Sequence, residues 1–210
     1  MAIINFVISS IIAGLAIGFA GSAYLVIPNT WVGALAFSIG MYLVILYGLK
    51  LFTGFIPQIT SIWVIDKGRF IFFDIIDSIL CLIGNVIGCY IAARILQVTP
   101  KYQQVIHKAQ IMLSYKYDWR LALFGGIACG CIIAFITLLS NKTCKLIFTL
   151  PLIALFIVCG FEHCIADAFY MFFANDVHVG FLALTVCGNV IGGSLIGLFH
   201  GLNVKMLKGK

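Results

Sequence analysis

Long apolar runs fill this chain, and short polar or glycine-rich stretches divide them into six segments. A helix crossing a bilayer needs about 20 predominantly apolar residues. Residues 1–27, 72–96, 121–139 and 179–200 each have the length and composition of one such crossing. The second segment, 31–62, and the fifth, 146–173, differ: each is interrupted near its middle. In the second, the interruption is Gly48-Leu49-Lys50-Leu51-Phe52-Thr53-Gly54, with Pro57 following; in the fifth, it is Gly160-Phe161-Glu162-His163-Cys164-Ile165-Ala166-Asp167. Glycine and proline loosen a helix, and an ionisable group at mid-membrane depth costs on the order of 3 kcal/mol. Both segments are therefore expected to be broken helices. Non-helical backbone at that depth is tolerated only where protein buries it or water reaches it, so the breaks point to a pore or a binding cavity. For the second segment, a proline-kinked structural helix is the plainer alternative.

The segments also repeat. The sequence G-N-V-I-G occurs at residues 84–88 in the third segment and at 188–192 in the sixth. Three crossings followed by three similar ones place the second half upside down, because an odd number of crossings inverts the copy. The expected fold is an all-α membrane protein of six transmembrane helices in a 3+3 inverted repeat, with the second and fifth helices broken. It forms a single channel domain over 1–210, with halves at about 1–98 and 119–204 joined by an extramembrane loop at about 99–118. In that loop Val105, Ile106, Ile111, Met112 and Tyr115 suggest an amphipathic interfacial helix, on which His107 is a solvated residue. Inverted repeats place their substrate site near the midplane where discontinuous helices meet, so Thr53 and His163 are expected to approach across a pseudo-two-fold axis.

Composition narrows the class. With 63% hydrophobic and 10% charged residues, and a mean hydropathy of +1.15, the chain is far from a soluble domain, whose apolar share is about 45–50%. The net charge of +6 calls for no nucleic acid, since the Lys and Arg residues lie mostly in predicted loops and at the C-terminus, where they serve as topology signals and lipid contacts. If the N-terminus is cytoplasmic, that side receives Lys67, Arg69, Lys142, Lys145, Lys205, Lys208 and Lys210, against Lys101, Lys108, Lys116 and Arg120 on the other. This predicts a multi-pass protein of the cell inner (plasma) membrane with both termini cytoplasmic. No Lys or Arg precedes the first apolar run, which reads as a retained span rather than a cleaved signal. The eight cysteines form no C-x-x-C pair and read as small packing residues. A membrane metalloenzyme would need clustered ligands, yet His107, His178 and His200 fall at segment ends or loops, so neither a metal nor another cofactor nor an enzymatic activity is expected.

The motifs Leu51-Phe52-Thr53-Gly54, Gly160-Phe161-Glu162-His163-x-Ile165-Ala166 and Gly188-Asn189-x-Ile191-Gly192-Gly193 occur in an order and spacing that resembles the formate/nitrite transporter family over nearly the whole chain. Members of that family conduct small monovalent anions, hydrosulfide and lactate among them. The resemblance implies an aquaporin-like protomer in a homopentamer within the lipid bilayer. It makes His163 the central pore histidine, Thr53 the residue facing it, and Leu51-Phe52-Thr53 a loop able to gate the pore. Phe37 and Phe156 become aromatics of the hydrophobic constrictions. Met41 takes a position where the family often has leucine, one turn from Phe37 on the same helical face. Lys145 is the candidate for a vestibular lysine.

Two positions depart from the family pattern: Lys50 replaces a glutamate and Asp167 an asparagine. Lys50 either pairs with Glu162 or Asp167, or raises the positive potential for an anion. Asn85 and Asn189, from the repeated G-N-V-I-G, are the polar neighbours expected to support these charges. The expected function is a channel or transporter for small inorganic or organic anions of weak acids, of the formate or nitrite type. His163 is its one neutral-to-cationic switch, either donating a proton to the anion or stabilising it while water supplies the proton. A structural histidine bonded to Thr53 without proton exchange is the bland alternative. Within the family, hydrosulfide or lactate conduction is the alternative substrate reading. An aquaporin-like channel for neutral solutes is structurally close, but its paired Asn-Pro-Ala motifs are missing.

Overall fold

The computed structural model describes residues 2–66, 71–140 and 149–208, and every regular element among them is helical. Lys145, Lys67, Arg69, Lys142 and Lys210, named above for the pore mouth or for orientation, lie outside the described residues.

Helix α1 (Ala2–Val26) is a continuous apolar run. The turn at 27–29 ends it, and the Asn29 side chain caps α2 (Thr30–Leu46) by accepting from the Val32 N–H at 3.1 Å. Next come α3 (Phe52–Ile65) and α4 (Ile71–Gln97). The connection beyond them holds two helices, α5 (Pro100–Gln103) and α6 (Ile106–Lys116). A π-helical turn, Leu121–Gly125, opens into α7 (Gly126–Ser140). The rest is α8 (Thr149–Val158), α9 (Cys164–Ala174) and α10 (Val179–Lys208), with Asn175 ending α9 in the left-handed conformation at φ 54°. Among the described residues, four stretches are long and apolar enough to cross a membrane: Ile3–Val26, Ile71–Gln97, Leu121–Leu138 and Val179–Leu207. The two interrupted segments each hold two shorter helices, α2 with α3 and α8 with α9.

The helices pack in matching pairs. Helix α1 lies along α4 as α7 lies along α10, and α3 packs on α10 as α9 packs on α4. Helices α2 and α8 pack on each other. The repeated G-N-V-I-G sits at the closest of these contacts, because a Cβ on Gly88 would stand 2.1 Å from the Ile11 carbonyl oxygen and one on Gly192 would stand 2.1 Å from that of Ile127. Only glycine lets the paired backbones approach so closely.

Helix α6 departs from the expectation of an interfacial helix. Its inner face runs through Val105, Ile106, Ala109, Met112, Leu113 and Lys116, with Ala109 and Leu113 fully buried against the protein. Ile111 and Tyr115 face outward instead. The helix packs its buried face on α9.

Candidate functional site

The two interruptions are built alike. Gly48 and Gly160 take the left-handed conformation at φ 61° and 69°, which favours glycine, and end α2 and α8. The next N–H reaches back five residues in each, Leu49 to the Val44 carbonyl and Phe161 to the Phe156 carbonyl, giving two Schellman caps. The chain then crosses three non-helical residues, the last of them extended, and starts a new helix. Buried asparagines secure both restarts. The Asn85 side chain accepts from the Phe52 N–H at 2.8 Å and donates to the carbonyls of Ser10 and Lys50 at 2.7 and 2.9 Å. Asn189 accepts from the Cys164 N–H at 2.9 Å and donates to the carbonyls of Gly126 and Glu162 at 2.8 and 2.9 Å. The asparagines were expected to support the charges of Lys50 and Glu162; they hold the backbones of those residues instead. Each satisfies polar groups that a helix break leaves exposed in an apolar interior.

At the centre the starts of α3 and α9 meet. Thr53 Oγ1 and His163 Nε2 are 2.8 Å apart, with both residues at most 2% exposed. Nδ1 of His163 accepts from the Ala166 N–H at 3.2 Å and so caps α9. That bond assigns the neutral tautomer: with Nδ1 accepting, the hydrogen sits on Nε2 and is donated to the Thr53 oxygen. The hydroxyl hydrogen of Thr53 is left for another acceptor. Both helices direct their positive N-terminal ends at this point, each equivalent to roughly half a unit charge.

Aromatic rings close around the pair. Phe156 stands 5.9 Å from the His163 ring, and Phe37 meets Phe156 edge-on at 6.1 Å. Met41, one turn after Phe37 on α2, and Leu51, Phe52, Phe37 and Phe156 are all buried. Two cavities flank them and share no lining residue. One, about 100 Å³, lies toward the 99–118 connection and is lined by Phe37, Phe156, His163, Asp167, Met112 and Lys116 among others. The second, about 230 Å³, is lined by Met41, Leu51, Lys50, Gln58 and Thr137 together with neighbouring apolar residues.

The charges are arranged differently from either sequence expectation for the carboxylates. Glu162 and Asp167 are not held by Lys50. Lys116 reaches in from α6, placing its Nζ 2.5 Å from Glu162 Oε2 and 3.2 Å from Asp167 Oδ1. Its side chain is 19% exposed. Burial alone would lower the Lys116 pKa, but Asp167 and Glu162 outweigh it and hold the ammonium above the usual lysine value. Asp167 Oδ2 is buried with no hydrogen-bond partner among the described residues. In the sequence Lys116 reads as a loop charge. The signal that could have placed it is the helical spacing of Ala109, Leu113 and Lys116, which puts that lysine on the buried face of α6 beside two acids in need of a cation.

A family model described as "Formate/nitrite transporter" matches residues 1–201. The chain belongs to the formate/nitrite transporter family. Among solved structures, a "pentameric formate channel with formate bound" is similar with a TM-score of 0.71 at 22% identity, covering 99% of this chain and 96% of that one. An "FNT family ion channel" is similar with a TM-score of 0.75 at 20% identity, covering 97% of this chain and 90% of that one. A search of curated proteins gives no match. The likeness to the two channels is one of fold, and it spans both interruptions.

Proposed function

We propose that this member of the formate/nitrite transporter family conducts small monovalent anions of weak acids across the membrane, of the formate or nitrite type. The observation that carries the reading is the buried Thr53–His163 contact, where two helix N-termini meet between two cavities. An anion entering hydrocarbon needs hydrogen-bond donors and positive potential that cost no reorganisation, and fixed N–H dipoles supply both. The rings of Phe37 and Phe156 keep bulk water from the centre. As the anion displaces the hydroxyl of Thr53, the neutral imidazole offers it the Nε2 hydrogen. The Nδ1 bond to the Ala166 N–H favours the second of the two proton routes: His163 stabilises the anion, and water supplies any proton it takes.

The same reading has six crossings in a 3+3 inverted repeat, with α2–α3 and α8–α9 each forming one broken crossing, and halves at about 1–98 and 119–204 joined by the 99–118 connection. The matched packing of α1 with α4 and α7 with α10 supports it. The protein works as a homopentamer in the lipid bilayer of the cell inner membrane with both termini cytoplasmic, and it is a conductor, not an enzyme. The formate channel's bound ion and pentameric state, stated for that relative, favour formate as substrate and the pentamer here. Hydrosulfide or lactate is the alternative cargo. Anion flux into proteoliposomes tests the central step: His163→Asn should alter the pH dependence or the selectivity among anions, and unchanged transport over the whole pH range would sink the role given to His163.

A further inference from the structure

The two cavities are counterparts built from corresponding positions of the two interruptions. Gly48, Leu49, Leu51 and Gly54 line one where Gly160, Phe161, His163 and Ala166 line the other. The correspondence places Lys50 opposite Glu162: each is the residue whose carbonyl is held by a buried asparagine. Their surroundings are not symmetric. Glu162 is paired with Lys116 from α6, and no such helix stands beside Lys50 among the described residues. Lys50 has no ion pair and no side-chain hydrogen bond among the described residues. Its backbone is fixed by Ser9, Asn85 and Cys81, so the side chain alone is left to extend along the cavity wall. Asp77 lies near the same cysteine on α4 and makes no ion pair with Lys50. Gln58, one turn beyond Gly54 on α3, lines the same cavity, and its amide has no partner among the described residues.

We propose that this cavity is an anion-binding site in which the Lys50 ammonium supplies the charge and the Gln58 amide a second donor. Its ligand is a small monovalent anion, held with part of its hydration before it passes Leu51. A volume of about 230 Å³ accommodates such an ion with several waters, each occupying roughly 30 Å³ in the liquid. A half-buried cation with no ion pair among the described residues is costly unless an anion or water completes it. The site rests on the anion-conduction reading and makes one face of the channel a capture site, while the other carries two acids that share a single lysine.

The test is the concentration dependence of flux in proteoliposomes at low ionic strength. The probe is whichever of formate, nitrite, hydrosulfide and lactate the wild type carries fastest. Lys50→Gln should raise the half-saturating concentration about ten-fold, the size of one charge-assisted hydrogen bond. Lys50→Arg should recover most of that loss, and the difference between Lys50→Gln and wild type should shrink in high salt as the charge is screened. Should Lys50→Gln fail to assemble, Gln58→Leu carries the test with a smaller rise, about three-fold. A half-saturating concentration equal to that of the wild type in Lys50→Gln, or in Gln58→Leu when it stands alone, overturns the site and leaves the channel reading intact. A wild type that carries none of the four anions overturns both.

Discussion

Lys116 is the residue on which the centre depends most. It stands against two buried carboxylates, so removing it strands two like charges a few ångströms apart in a low-dielectric interior. Breaking a buried pair in this way costs about 3–5 kcal/mol. Lys116→Met is therefore expected to lower the thermal midpoint of the detergent-solubilised protein sharply, and a melt that overlays the wild type would contradict the assigned contact. Asp167 behaves in the opposite sense. Its Oδ2 has no hydrogen-bond partner among the described residues, and Asp167→Asn leaves a one-to-one pair of Lys116 with Glu162. That change should be tolerated alone and should recover part of the loss when combined with Lys116→Met. The sequence marked Glu162, His163 and Asp167 through their cost in an apolar run, but it could not assign their cation. Lys50 lay closest along the chain to the matching interruption, whereas Lys116 reaches the acids only because α6 folds its buried face over α9.

At the level of elements, the interruptions were legible because glycine, charge and proline cannot continue a lipid-facing helix. What held them open was not legible. Asn85 and Asn189 were visible as a repeat, but nothing in the repeat told that each closes three backbone hydrogen bonds across a break. Each asparagine replaced by alanine leaves one N–H and two carbonyls short of a partner, and an unsatisfied buried group costs about 1–3 kcal/mol. Asn85→Ala and Asn189→Ala should both destabilise, and Asn189→Ala should also disturb flux because it frees the backbone on either side of His163. Circular dichroism melts and flux on the same preparations check this; wild-type behaviour in both would mean that the loops are held by other contacts. Gly88 and Gly192 make a parallel case in packing. A valine at either position meets a facing carbonyl well inside van der Waals contact, so loss of monodisperse protein is expected.

At the level of the whole molecule, the apolar composition and the spacing of runs were enough to predict a helical membrane protein, and the family match covers almost all of it. The 99–118 connection reads from its sequence as an extramembrane loop with an interfacial helix, because its polar residues mask the buried face of α6. Assembly is a property of several chains and leaves little trace in one. Large apolar side chains on α2 such as Trp31, Leu35 and Ile39 are exposed in the single chain and are available to lipid or to neighbouring copies. Native mass measurement in lipid nanodiscs should give five copies, and a stable monomer that conducts would contradict the pentamer. What the protein conducts is tested by stopped-flow flux into proteoliposomes of formate, nitrite, hydrosulfide and lactate, with water as the neutral comparison. The result predicted is protein-dependent flux of at least one of these anions that changes with pH and with substitution of His163. Water flux alone, or no flux above protein-free vesicles, would contradict it.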